Sequence, residues 1–361
     1  MPLTRALLAP LGQAAGAADG GKANASWAEL RRARQAHDEP RAAWVRAPRA
    51  FLPGYRSPCW VQCPSDGCRF FCLPYFYVIG VMKCGTSELF AKIAWHPNVT
   101  ARVTPNLGMS EKMRKEPHYW ILSGAPRNTS LRPYMRMLAA DLAYIYDHPG
   151  AITGEASVSL MAGGPYVPRP NLPELLQALH SGTRYLVILR NPVDRAYSQF
   201  NYRATHGSAQ DFHDECVRDL ARIRRECYRQ HNLTRLLTPA EYPVRCAGGL
   251  VSQGLYAHHL VPWLRALPAG ALLVIAFRDL VRPDRQRSLM ESVYRHLGLS
   301  TDLGESFWQK LVGKPLNRNG GPRPPPMLPA TREMLRAFYS SQNALLAQLL
   351  DDPRYLDWNN P

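Results

Sequence analysis

The chain has 361 residues, 46% of them hydrophobic, enough apolar material for one large folded domain and too much for a wholly disordered chain. Lys and Arg number 44 against 28 Asp and Glu, a formal net charge of +16 that favours an acidic partner: nucleic acid, an anionic membrane surface or an anionic polysaccharide. No run of 18 apolar residues occurs, so no membrane-spanning helix is expected.

Residues 1–50 are rich in Ala, Arg and Gly and carry little periodicity beyond a short helical pattern at 26–36. They read as a flexible stem or linker. The first twenty residues hold one arginine and a weak apolar stretch broken by Pro10, Gly12 and Gln13, a poor signal peptide. Order is expected from about residue 51, so the chain divides into a stem at 1–50 and one domain at 51–361.

Cys59, Cys63, Cys68 and Cys72 come next, four of the eight cysteines. Their intervals do not match the C-x₂-C pairs of common zinc sites, so disulfides are favoured over a metal. Sequons at Asn24, Asn98, Asn128 and Asn232 are glycosylation candidates and point independently to a secretory compartment, where disulfides persist. The pairings expected are Cys59 with Cys72 and Cys227 with Cys246.

From residue 75 onward, apolar strand patterns at 75–81, 151–155, 185–190 and 272–277 alternate with helical ones. The helical patterns fall at 87–95, 132–146, 172–180, 193–205, 212–229, 254–267, 285–297 and 331–350. Strands that are almost wholly apolar and separated by helices predict an α/β fold with a central parallel sheet covered on both faces. The 32 prolines concentrate in connections such as 165–173 and 322–329.

The first strand, in YFYVIGVMKCGTSELFAK, breaks into a loop holding Lys83, Cys84, Gly85, Thr86 and Ser87, and a helix follows. Successive backbone N–H groups and the positive end of the helix dipole then point at one place, where a phosphate or sulfate can sit. A nucleotide-triphosphate P-loop needs G-x-x-x-x-G-K-[ST]. Here the lysine precedes the last glycine, so it approaches the anion from the other side of the turn. The bland reading is a plain strand–helix connection.

The strand in TRYLVILRNPVDRAYSQFNY ends on Arg190, Pro192 opens a helix, and Ser198 follows about two turns from Arg190. Ligands of open parallel sheets bind beyond the carboxyl ends of strands, which puts Arg190 where a second phosphate can be gripped. The competing reading pairs Arg190 with Asp194.

Together, the two segments resemble the 5′-phosphosulfate loop and the 3′-phosphate motif of the Golgi carbohydrate sulfotransferases. These enzymes use 3′-phosphoadenosine 5′-phosphosulfate (PAPS). KEPHYW (115–120), GEAS (154–157), DFH (211–213), GLYA (254–257) and the helices at 252–264 and 326–350 look like the glycosaminoglycan branch. The resemblance covers about 51–358. It implies a P-loop nucleotide-kinase-like sulfotransferase fold, PAPS as donor without a metal, and a Golgi luminal site with any anchor lying outside this chain. Lys83 to Ser87 would contact the donor's 5′ end, and Arg190 with Ser198 its 3′-phosphate. Glu116 would be the catalytic base, and Lys83 the cation that neutralises the departing oxygen.

From the residues alone, Glu116 reads as a surface carboxylate paired with Lys112 or Lys115, and His118 as either an acceptor contact or a loop histidine. Arg318, Asn319 and Gly320, in a basic loop before the last helix, are candidates for the donor's 3′ end or else an exposed linker. Met82, Ser87 and Asn191 depart from the family pattern, and Asn191 is expected to weaken the orientation of Arg190. The stretch from His118 to Gly154 is short for the family, which bears on the acceptor more than on the reaction. The acceptor expected is chondroitin or dermatan sulfate, modified at C6 of 4-sulfated N-acetylgalactosamine. The alternatives are another glycan such as heparan sulfate, a nucleotide-dependent kinase, and a catalytically silent glycan-binding protein. No nucleic acid partner is expected.

Overall fold

The computed structural model describes residues 48, 50–63, 67–100, 115–122, 131–138, 141–162, 172–203, 207–227, 249–313 and 325–360. An antiparallel hairpin comes first: β1 (Cys59–Gln62) and β2 (Arg69–Cys72). Cys59 lies opposite Cys72 and is bonded to it, as the sequence suggested, and Cys63 is bonded to Cys68 across the turn. The four clustered cysteines are therefore consumed by two disulfides, and the metal alternative falls for them. The hairpin escaped the strand reading because its four-residue strands are too short to show a period.

β3 (Phe76–Gly80) is buried at all five positions and leads through the turn at 81–85 into α1 (Thr86–Ala94). Short helices α2 (Tyr119–Leu122), α3 (Arg132–Leu138) and α4 (Leu142–Asp147) precede β4 (Gly154–Glu155). The single helix expected over 132–146 is thus two. At the break Asp141 is 2% exposed and accepts hydrogen bonds from Thr100 at 2.5 Å and Thr153 at 3.0 Å. A buried carboxylate needs such donors, and meeting them ties α4 to the entrance of β4.

α5 (Leu172–Leu179) precedes β5 (Arg184–Leu189), and α6 (Pro192–Arg203) follows it. α7 (Ala209–Arg222) begins at a capping box between Ser208 and Asp211 and ends in a π turn, Ile223–Cys227. α8 (Tyr256–Ala266), β6 (Leu272–Ala276) and α9 (Phe277–Val281) follow, then α10 (Pro283–His296) and α11 (Glu305–Leu311). The long α12 (Pro329–Leu350) closes the order, and a 3₁₀ segment, Pro353–Asn359, folds back along it. Arg336 donates to the Asn359 carbonyl oxygen at 2.8 Å and holds that segment in place.

Among the described residues the central sheet is parallel, in the order β4-β3-β5-β6. Tyr77 registers with Glu155 on one side and Tyr185 on the other, and Leu189 registers with Ala276. The carboxyl ends therefore line up at Glu155, Gly80, Leu189 and Ala276. The chain leaves β3 toward β4 and then crosses back to β5, so β3 sits where the winding reverses. A crevice opens beyond the strands at such a point. Helices cover both faces, which is why β3 and β5 are apolar without alternation.

Candidate active site

The anion loop begins where Val81 donates its N–H to the Ile188 carbonyl oxygen at 3.1 Å. Cys84 N–H then bonds to the Val81 carbonyl oxygen at 3.1 Å and closes a tight turn. Lys83 at φ 68° and Gly85 at φ 91° take left-handed conformations to make it. At Gly85 a side chain is also excluded by contact, since a Cβ would meet the Phe277 ring at 3.0 Å. Gly85 is the N-cap of α1 and provides no side-chain cap, so the N–H groups of the first turn face the crevice uncovered by a capping oxygen. Thr86 is buried and Ser87 half-buried at this end. The Cys84 thiol is fully buried 3.8 Å from the Tyr256 hydroxyl, and burial pushes its pKa up. With its N–H and thiol so directed, Cys84 shapes the loop.

Lys83 turns its ammonium to the face of Tyr202, 4.2 Å from the ring centroid. Arg190, just past β5, donates from its guanidinium to the Lys83 carbonyl oxygen at 3.3 Å. The same guanidinium lies 4.8 Å over the Phe277 ring, at the end of β6. The Arg190 carbonyl oxygen accepts from Tyr256 at 2.8 Å. Arg190 is thus fixed by the Lys83 carbonyl, the Phe277 ring and Tyr256, and Asn191 does other work: its side-chain oxygen accepts from the Val193 N–H at 3.0 Å and caps α6. Asp194 pairs with Arg332 at 3.1 Å instead of Arg190. Ser198 is half-buried on α6, and Tyr202 follows it one turn later on the same face.

Next to Arg190 a cleft of about 280 Å³ opens, lined in part by Phe277, Arg278, Arg354, Tyr355 and Trp358. Sequence reasoning missed this wall. Its residues come from α9 and the carboxyl-terminal segment, and only the return of that segment along α12 brings them beside β5.

Glu116 lies beside the end of β4. The Ala156 N–H bonds to the Lys115 carbonyl oxygen at 2.7 Å, laying 115–118 along the end of β4. His118, at φ 49°, donates its N–H to Ser157 Oγ at 3.1 Å. Its ring spans two partners: Nδ1 is 3.2 Å from Ser159 Oγ, and Nε2 is 3.1 Å from Glu116 Oε2. The Lys115 ammonium contacts the other Glu116 oxygen. Burial alone would raise the Glu116 carboxyl, but the hydrogen bond from His118 and the Lys115 ammonium outweigh it and hold its pKa below the usual range. Lys115 is itself lowered, chiefly by burial, against the pull of Glu116. The ion pair with Lys115 that the sequence offered as an alternative is present, yet it lies in a partly buried cleft and not on an open surface. Lys112 lies outside the described residues.

Behind this group sits Glu155, fully buried, with Oε2 2.8 Å from the Tyr134 hydroxyl. Burial pushes its carboxyl up to about 8 despite hydrogen bonds from Tyr134 and Ser157, and the charge on Glu116 adds to the rise. Two neighbouring carboxyls are thus pushed in opposite directions, Glu116 below its ordinary value and Glu155 up to about 8.

Arg318, Asn319 and Gly320 lie outside the described residues, as do Asn24, Asn128, Asn232 and Cys246, and with it the Cys227–Cys246 pairing. Asn98 is exposed on the loop after α1. Among the described residues no helix is long and apolar enough to cross a membrane.

An uncapped helix start thus lies at the winding reversal, with Lys83 and Arg190 beside it and Glu116 at the end of the adjacent strand β4. Residues 74–312 match the sulfotransferase domain family, and the chain belongs to that family. Carbohydrate sulfotransferase 15 of Homo sapiens is 28% identical over 337 residues, covering 80% of this chain and 55% of the relative. The bifunctional heparan sulfate N-deacetylase/N-sulfotransferase 2 of Homo sapiens is 26% identical over 330 residues, covering 83% of this chain and 33% of the relative. The chain thus spans about half the length of the first and a third of the second. Among solved structures, a sulfotransferase from Alicyclobacillus acidocaldarius aligns with a TM-score of 0.50 at 23% identity. It covers 78% of this chain and 96% of that one, a likeness of fold.

Proposed function

We propose that the protein transfers a sulfuryl group from PAPS to a sugar hydroxyl of a glycosaminoglycan. What supports this reading is the Arg190 hydrogen bond to the Lys83 carbonyl oxygen, which ties the 83–87 loop to the end of β5, with Glu116 held beside the end of the neighbouring strand β4. The donor supplies an activated sulfuryl group, and the chain's own residues position it and balance the charge that moves. The loop and Lys83 hold the 5′ end, with the Lys83 ammonium countering charge on the departing oxygen. Arg190 and Ser198 hold the 3′-phosphate, and the Phe277 ring with the adjacent cleft offers the nucleoside an apolar face. Arg318, Asn319 and Gly320 are assigned to the same 3′ end.

Glu116 takes the proton of the attacking hydroxyl. Both of its oxygens are engaged by Lys115 and His118, so the acceptor must displace one of these contacts to reach it. His118 then lies next to the incoming sugar. The acceptor is assigned as chondroitin or dermatan sulfate, at C6 of 4-sulfated N-acetylgalactosamine, on the likeness to carbohydrate sulfotransferase 15. The net charge of +16 suits a polyanion, and activity should decline as salt screens it. A Golgi lumenal location and glycosylation at Asn98 and the other sequons belong to the same reading. Heparan sulfate is the second acceptor, favoured by the likeness to the N-deacetylase/N-sulfotransferase.

The test is transfer of labelled sulfate from PAPS to chondroitin, dermatan and heparan chains, with disaccharide analysis of the products. Label at C6 of 4-sulfated N-acetylgalactosamine is the expected result, and label on heparan alone selects the second acceptor. Transfer only from ATP with Mg²⁺ would replace the reading with a kinase. Chain binding with no transfer from either donor would leave a glycan-binding protein.

A further inference from the structure

Tyr202 is 63% exposed near the end of α6, yet its ring carries the Lys83 ammonium at 4.2 Å from the centroid. A ring that exposed is not placed there by core packing. Two positive groups oppose an ammonium at this loop. The positive end of α1 repels an ammonium. The Arg190 guanidinium stands close by, 3.3 Å from the Lys83 carbonyl oxygen. An aromatic face accepts a cation without adding a competing negative charge. A carboxylate at the same place would bind the ammonium too well and would repel an incoming phosphosulfate.

We propose that Tyr202 is a positioning residue of the donor site, its ring confining the Lys83 ammonium beside the 83–87 loop in the pose that meets the donor's anionic 5′ end and keeping that contact in the bound state. This rests on the sulfuryl-donor reading above. The ring confines a side chain with four rotatable bonds, so less freedom is lost when the anion arrives. The argument uses the ring and not the phenol hydroxyl. Phenylalanine should therefore serve, and an aliphatic side chain should not.

The experiment is calorimetric binding of 3′-phosphoadenosine 5′-phosphate, the spent donor, to the full chain and to Tyr202→Phe, Tyr202→Leu, Lys83→Ala and the Lys83→Ala/Tyr202→Leu pair. Steady-state constants for both substrates are measured alongside. Tyr202→Phe should bind like the wild type, and Tyr202→Leu should bind about two- to five-fold more weakly. In the Lys83→Ala background the leucine change should add nothing, and the acceptor KM should not move. Equal binding by Tyr202→Leu and the wild type overturns the proposal, as does a loss that persists without Lys83. A raised acceptor KM with donor binding intact makes Tyr202 an acceptor contact instead and also overturns it. Failure of the wild type itself to bind would remove the donor reading, and the proposal with it.

Discussion

Arg190 donates a hydrogen bond to the carbonyl oxygen of Lys83 at 3.3 Å, joining the ends of β5 and β3. The two segments proposed to hold the donor, 107 residues apart, are therefore directly joined. A change at either end should be felt at the other. The Phe277 ring reinforces the link, because it touches both the Arg190 guanidinium and the space that only a glycine at 85 leaves free.

Arg190→Lys should weaken binding of the spent donor by about one to two orders of magnitude, because the charge survives but the planar fork is lost. The fold should persist, since Arg190 is half-buried and outside the core. Calorimetry and a thermal melt on the same samples separate the two effects. Equal affinity would show that Arg190 holds only the Lys83 loop.

Glu116→Gln should reduce turnover by about 10²- to 10⁴-fold with donor binding unchanged. Glutamine keeps an acceptor for His118, so the site should stay assembled. In the wild type the acid limb of the turnover profile should fall below pH 4.5, because the Glu116 carboxyl is held under that value. His118→Ala should move the limb upward by removing a stabilising hydrogen bond. Since the folded pKa is depressed, ionised Glu116 adds stability above about pH 4.5 and loses it as pH falls through the folded value. An acid limb that does not respond to His118→Ala would deny Glu116 this role.

Glu155 carries the opposite sign. With its carboxyl pushed up to about 8, the folded chain holds a proton that the unfolded chain releases above about 4.5. Stability should therefore fall as pH rises from 4.5 to 8. Glu155→Gln should melt like the wild type near pH 4.5 and several degrees higher near pH 8. Parallel melting curves across that range would mean that Glu155 is ionised in the folded protein.

Non-reducing peptide maps should return Cys59–Cys72 and Cys63–Cys68. Cys84 and Cys216 are buried thiols, raised by burial, the second to about 12. Both should resist alkylation until the protein is unfolded. Opening the Cys59–Cys72 loop should cost up to about 3 kcal/mol by chain entropy. Fast native alkylation of Cys84 would require the 81–85 turn to open.

Three of the four strands of the central sheet, β3, β5 and β6, were legible because a parallel strand covered on both faces is apolar throughout, and Val78, Ile79, Val187 and Ile188 carry that signal locally; β4, only Gly154–Glu155, was marked by Ala151 and Ile152 before it. The anion loop was legible for a similar reason, since the glycine and hydroxyls it needs are adjacent in sequence. Asn191 was read as a weakness beside Arg190 and proved to be a helix cap, because the supports of that arginine come from residues 83, 256 and 277. The break at Asp141 was missed, because nothing near it in sequence reveals Thr100 and Thr153 as its partners.

By itself the sequence determined the α/β architecture and the strand–loop–helix turn at 83–87, and it placed Arg190 at a strand end. These rest on periodicity, on turn chemistry and on motifs confined to a few consecutive residues. Only the tertiary structure decided that Lys115 and His118 engage the two oxygens of Glu116, that Glu155 is buried with its carboxyl pushed up to about 8 and that Tyr202 faces the Lys83 ammonium. It also decided that the carboxyl-terminal segment lines the cleft beside Arg190. Charge state and orientation depend on what distant segments bring within a few ångströms, and that proximity is set by packing.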